Sequence, residues 1–185
     1  MSRICPRLVL VALCCCTPGV AFADSRPAKA PPSLCTTSEK VVFGCAQGRR
    51  IISLCAMPSA KRPGTIQLRY AFGTPNKIEL EISQASFPNA FFSGLTSISG
   101  GGIDYVRVQN GTIGYVLYTG MRRGWAQDGW VVEDHGEPIS HHICKTVATG
   151  NDVWGPVYDA KLAKSLGSNF LPPEWVGNAP RRTTR

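Results

Sequence analysis

Ser97 to Gly120 reads SISGGGIDYVRVQNGTIGYVLYTG: three consecutive glycines, then two alternating runs hinged on Asn110-Gly111. Asn-Gly tolerates positive φ at both positions, which a tight turn between twisted antiparallel strands requires. A turn centred there pairs Gln109 with Thr112, Arg107 with Gly114, Tyr105 with Val116 and Ile103 with Tyr118. Side chains alternate between the faces of a strand, so Val106, Val108, Ile113, Tyr115 and Leu117 form an apolar core face. Ile103, Tyr105, Val116 and Tyr118 occupy the other face, with Arg107 and Gln109 toward the turn. That mixed face reads either as a recognition surface or as packing against the Phe91-Phe92 segment. Asn110-Gly111-Thr112 also matches a glycosylation sequon, but the turn is sufficient reason for it.

The same period continues outward in both directions. TIQLRYAF alternates Ile66, Leu68, Tyr70 and Phe72 against Thr65, Gln67, Arg69 and Ala71, and KIELEIS alternates Ile78, Leu80 and Ile82 against Lys77, Glu79 and Glu81. Each reads as a strand with one wet face. Matching their apolar faces across Gly73–Lys77 places Tyr70 opposite Leu80 and Leu68 opposite Ile82. Arg69 then faces Glu81 on a solvated surface. VVFGCAQGRRIISLC reads as two further strands about Gln47-Gly48, with Cys45 facing Arg50. GWVVED and EPISHHICK flank a turn at His135-Gly136. SQASFPNAFFSGL breaks the alternation and reads as a longer connection carrying Phe87, Phe91 and Phe92.

Strand follows strand through short glycine-containing turns without intervening helices. The fold class is therefore all-β: an antiparallel small barrel, with a β-sandwich as the alternative, and a short C-terminal helix. Asp159 to Leu166 carries the helical pattern, with Asp159 as N-cap and Gly167 as stop. The β domain spans residues 35–146 and a C-terminal extension spans 147–185, where only Phe170 and Trp175 have the character of anchors.

Residues 1–23 read as a secretory signal: Arg3 and Arg7, an apolar run from Leu8 to Cys16, and Ala21-Phe22-Ala23 as a cleavage site. The apolar run is shorter than the roughly 20 residues of a transmembrane helix. The expected location is periplasmic or secreted, with cleavage after Ala23. Residues 24–34 form a proline-rich leader expected to be disordered.

The signal holds two arginines and no acid, so its removal lowers the net charge from +8 to +6. That charge suits an acidic protein cleft, a cell-wall polymer or a membrane surface. Nucleic acid is not expected, because the basic residues are scattered apart from the terminal RRTTR.

Cys35, Cys45, Cys55 and Cys144 remain after the signal, an even number that favours two disulfides in an exported chain. In the hairpin, Cys45 and Cys55 point to opposite faces, which disfavours joining them. The hairpin returns Cys55 toward Cys35, leaving Cys35–Cys55 and Cys45–Cys144. The second bridge would tie the first strand to the last and suits a closed sheet. Zinc is not expected, since no C-x-x-C spacing occurs.

No nucleophile motif, zincin motif or phosphate loop is present, and no cofactor is expected. His141 and His142 are adjacent on a strand and face opposite ways. Asp104, Asp128, Glu133, Asp134 and Glu137 show no spacing that marks a catalytic pair, so the chain reads as no enzyme. A hydrolase whose carboxylates come from separate strands is the remaining catalytic alternative.

VVFGC, the Ser-Gly segment before a tyrosine, the basic loop after a tyrosine-containing strand and the closing Cys144 together resemble the periplasmic C-type lysozyme inhibitors. The layout is also similar to other exported bacterial β-proteins for which no activity is implied. The inhibitor resemblance implies a small exported barrel that binds a lysozyme-like cell-wall enzyme. It implies that Ser99 enters the enzyme's cleft together with Arg122 or Arg123, while Tyr105 holds the loop; the adjoining Gly100, Gly101 and Gly102 suit a narrow cleft, and the hairpin sets Tyr118 on the face of Tyr105. A structural or envelope-associated module without an enzyme partner is the alternative function.

Overall fold

In a computed structural model, residues 33–145, 147–148, 154–164 and 170–171 are described. The signal, most of the leader, Trp175 and the basic terminus lie outside them. Nine strands run in succession: β1 (Lys40–Gln47), β2 (Arg50–Pro58), β3 (Ile66–Thr74), β4 (Lys77–Ser83), β5 (Phe91–Ile98), β6 (Gly101–Asn110), β7 (Ile113–Arg122), β8 (Trp125–Asp134) and β9 (Glu137–Ile143). Short elements follow: β10 (Val147–Ala148), helix α1 (Gly155–Asp159) and β11 (Ala163–Lys164).

These strands form two sheets. Sheet A has the order β10-β1-β2-β3-β4 and sheet B the order β11-β5-β6-β7-β8-β9. All pairings are antiparallel except β11 with β5. The all-β antiparallel expectation holds, in the form of two facing sheets; among the described residues no strand pairing closes them into a barrel.

One apolar core fills the space between the sheets. Phe43, Leu54, Leu68 and Tyr70 of sheet A meet Phe91, Val106, Val108, Leu117 and Trp130 of sheet B. A fully buried side chain of this size contributes roughly 1.5–3 kcal/mol. Tyr70 stacks on Tyr115 across the gap with ring centroids 5.1 Å apart. The Tyr70 hydroxyl is buried without a partner, and desolvation pushes its pKa upward.

Both disulfides form with the expected pairings. Cys35–Cys55 has Cα atoms 5.5 Å apart, and Cys45–Cys144 has them 5.4 Å apart. Cys144 packs toward the inter-sheet core, while Ile139 and Ile143 of β9 are the exposed residues. Cys144 therefore faces away from those two isoleucines because it is the inward one. From Cys144 the chain passes into sheet A, where Val147 and Ala148 pair with Cys45 and Gly44. The β domain thus extends beyond residue 146.

Several elements differ from the sequence reading. Phe91–Ile98 is a strand, not a connection: Phe91 is buried in the core and only Phe87 of that aromatic group is exposed. The helix ends at Asp159 rather than starting there, because Pro156 occupies its first turn and fixes a helical φ there. Residues 163–164 are extended, hydrogen-bonded to the edge of β5. In every hairpin compared, the opposing residue lies two positions further along the second strand than expected. Cys45 faces Ile52, Tyr70 faces Ile82, and Tyr105 faces Tyr118.

The outer face of each sheet is also covered. On sheet A, residues 33–39 lie across Ser53, Cys55 and Arg69. Leu34 donates its N–H to Ser53 Oγ at 2.9 Å, and Arg69 donates to the Leu34 carbonyl at 3.0 Å. Arg69 is therefore buried, not solvated, although its contact to Glu81 survives at 3.0 Å as a diagonal one. On sheet B, Phe170 and Leu171 sit over Ile103, Tyr105, Val116, Tyr118 and Val131.

Candidate functional site

The glycine segment divides by role. Ser99 and Gly100 form the turn joining β5 to β6, and Gly100 has φ 78°. Gly101 and Gly102 already belong to β6. A Cβ at Gly101 would collide with the Met121 carbonyl of the neighbouring strand, so this residue is small because two backbones approach there. Gly101 is the ladder partner of Arg122, and Arg122 in turn faces Trp125 across the next turn, Arg123-Gly124. Two exposed turns, Ser99-Gly100 and Arg123-Gly124, thus stand side by side at one end of sheet B. The Arg122 guanidinium lies 5.5 Å from the centre of the Trp125 ring, while Arg123 is exposed.

Tyr105 and Tyr118 are not beside these turns as surface groups. They are 3% and 0% exposed. The expectation that their face recognises a partner is corrected by its cover, and that cover is Phe170-Leu171 rather than the Phe91-Phe92 segment. Each tyrosine lies over the glycine opposite it, Tyr105 over Gly94 and Tyr118 over Gly129, where a Cβ would enter the ring. Phe170 meets Tyr105 edge-on at 4.8 Å. The Tyr118 hydroxyl accepts from Gln127 at 2.9 Å and lies 2.6 Å from His141 Nε2. Burial pushes its pKa up to about 12. Beneath the same cover, Arg107 donates twice to Glu133, at 2.8 and 2.9 Å. These groups hold the sheet together.

The two turns rim a concavity of about 530 Å³ on the inner face of sheet B. Gly101, Gly102, Asp104, Thr119, Arg122 and Trp154 contribute to its lining. Asp104, Thr119 and Asp128 form a direct cross-strand row on β6, β7 and β8. Thr119 Oγ1 and Asp128 Oδ1 are buried and without a hydrogen bond. Burial raises the pKa of Asp104, partly offset by a 3.3 Å hydrogen bond from the Tyr158 hydroxyl. Leu95 and Met121, 65% and 68% exposed, stand on the same face.

The sequence does not show this row, although both aspartates are among its acids. Its signal is the strand register: only when Thr119 faces both Asp104 and Asp128 do the acids fall on one line. The other polar groups disperse. His142 Nδ1 accepts from Gln47 Nε2 of sheet A at 2.7 Å, His141 reaches Tyr118, and His135 pairs with Asp134 at 2.9 Å, so the three histidines do not converge. Cys35, Glu39 and Cys55 lie within mutual reach, but the sulfurs are joined and the carboxylate is held by Arg69. Among the described residues no helix is long and apolar enough to cross a membrane. No family model, curated protein or solved structure matches the chain.

Proposed function

We propose that this is an exported domain that acts by binding, presenting the Ser99-Gly100 turn and the Arg122-Arg123 turn to the carboxylate-lined cleft of a lysozyme-like cell-wall enzyme. The observation that carries the reading is the ladder pair Gly101–Arg122, which sets the serine turn and the cationic turn side by side. Two short turns projecting from one rigid sheet lose little freedom on docking, which favours affinity. Cations steer toward an acidic cleft and, once desolvated against its carboxylates, hydrogen-bond them strongly. Exposed Met121 and Leu95 add apolar contact beside the charges. Tyr105 and Tyr118 serve this site only by bracing the strands beneath it.

Titration of the purified, oxidised chain into a lysozyme activity assay tests the proposal. Inhibition at micromolar concentration is expected, weakened about tenfold or more by Arg122→Ala/Arg123→Ala, since hydrogen bonds to charged groups contribute about 1.5–3 kcal/mol. Absence of inhibition sinks the inhibitor reading. Inhibition insensitive to those substitutions and to Ser99→Ala sinks the site.

The Asp104–Thr119–Asp128 row favours a second reading, a glycan hydrolase. Two strand spacings separate the aspartates, about 9–10 Å between backbone positions. That is comparable with the roughly 6.5–9.5 Å between carboxyl groups of inverting glycosidases. Asp104, with its raised pKa, would act as the acid and Asp128 as the base. The same preparation, incubated with cell-wall glycan, would then release reducing ends, and Asp104→Asn or Asp128→Asn would abolish the release.

A further inference from the structure

We propose a second binding site, for an anionic saccharide, at the opposite end of β5 from the Ser99-Gly100 turn. A concavity of about 650 Å³ lies between the β2–β3 loop, the β4–β5 loop and the segment following α1. Lys61, Arg62 and Lys161 line it, and none of the three makes an ion pair among the described residues. Among the described residues Asp159 is the single acid of the lining, so the concavity carries a positive excess. Individually exposed cations attract anions weakly, but a concave wall bearing several of them focuses the field.

The backbone that carries the cations is held in place. In the β2–β3 loop, Ser59 donates its N–H to the Thr65 carbonyl at 2.9 Å, and the Thr65 hydroxyl donates to the Arg62 carbonyl at 2.7 Å. The buried Ser59 accepts the Arg62 N–H at 3.1 Å, which fixes the backbone that carries Lys61 and Arg62. Lys161 sits at φ 49°, a conformation uncommon for a side-chain-bearing residue, with its N–H bonded to Tyr158.

The size and remaining lining choose the ligand class. A lone phosphate fills only a small part of such a volume, which lies in the range of small-molecule pockets. Gln67, Gln84 and Asn89 add amides suited to sugar hydroxyls. Gln84 spends its carbonyl oxygen on the Leu68 N–H at 3.1 Å, leaving its amide nitrogen as donor. The half-buried Phe92 adds an aromatic surface for a sugar ring. Cations for a phosphate or carboxylate and amides for hydroxyls together specify a sugar carrying an anionic group. The eight residues of β5 separate this concavity from the Ser99 turn by roughly 25 Å. The chain can therefore hold an anionic glycan here while the other end of sheet B stays free.

Amide chemical shifts of the ¹⁵N-labelled, oxidised protein, titrated separately with glucose 6-phosphate, glucuronate and glucose, test this site. Saturable shifts confined to residues 59–67, 84–92 and 159–163 are expected with an anionic sugar and not with glucose. Response to the phosphate alone, the uronate alone or both supports the site and identifies its anion. Lys61→Ala/Arg62→Ala and Lys161→Ala should each weaken binding about tenfold, with unchanged melting temperature. Absence of saturable shifts, an equal response to glucose, shifts spread equally over the Arg122-Arg123 turn, or binding retained in the variants would each overturn the proposal. None of these outcomes depends on whether the chain inhibits or cleaves anything.

Discussion

Glu39 shows how one buried carboxylate couples the fold to pH. Its side chain is 1% exposed, and Arg69 meets both oxygens, at 2.7 and 2.6 Å, while the Thr36 N–H donates at 2.7 Å. Hydrogen bonding to Arg69 holds the Glu39 carboxyl below its ordinary value of 4.5, against the opposing effect of burial. A carboxylate whose folded pKa is depressed binds protons more tightly in the unfolded chain. Its stabilisation is complete above about pH 5 and is lost as pH falls through 4.5 toward the folded value. His142 acts earlier: burial lowers its pKa, so its contribution is lost as pH falls below 6.5. Glu39→Gln leaves Arg69 buried with the half-exposed Glu81 as its one acidic partner among the described residues, and is expected to cost about 3–5 kcal/mol at pH 7. The same variant should flatten the decline in stability below pH 4.5. Urea unfolding at pH 7, 5 and 3.5 measures both effects; an unchanged acid limb would assign it to other carboxylates.

At the scale of the hairpin, the glycine's place in the turn sets the register. Gly111 has φ 63° and Gly48 has φ 61°, while neither Thr112 nor Arg49 has positive φ. Both turns thus place glycine first of the two central residues, the arrangement of a type II′ turn, and Asn110 is the last residue of its strand. Gly111→Ala is expected to cost about 1 kcal/mol or more and Asn110→Ala less than about 0.5 kcal/mol, compared by denaturant midpoints. An Asn-Gly turn with both residues at positive φ would make the two costs comparable. His135-Gly136 has that double positive φ, at 52° and 84°. Because each misplacement moved the opposing residue by two positions, every side chain kept its face. Hence Val106, Val108 and Leu117 were legible as core residues while their partners were not. The Ser99 and Arg122 turns were legible for the same reason, being chain reversals. The Asp104–Thr119–Asp128 row was not, because it needs two registers correct at once.

For the whole molecule, the outer faces explain what local patterns could not show. Alternation identifies a face as aromatic or charged but says nothing of which distant segment covers it. Residues 33–39 cover Arg69 and Phe170-Leu171 cover Tyr105 and Tyr118, from opposite ends of the described chain. The two disulfides divide along the same lines. Cys35–Cys55 pins the cover of sheet A across a separation of 20 residues, and Cys45–Cys144 links the sheets across 99. If restriction of the unfolded chain dominates, the longer loop stabilises more: about 4–5 kcal/mol for Cys45–Cys144 against about 3 kcal/mol for Cys35–Cys55. Folded-state packing argues the reverse, since freeing Cys35 also loosens the segment that carries Glu39 to Arg69. Paired alanine variants, Cys45→Ala/Cys144→Ala and Cys35→Ala/Cys55→Ala, compared by urea unfolding under oxidising conditions, decide between them. The larger loss is expected in the first variant. A larger loss in the second would mean that the cover over Arg69, and not the length of chain enclosed, determines what each bridge contributes.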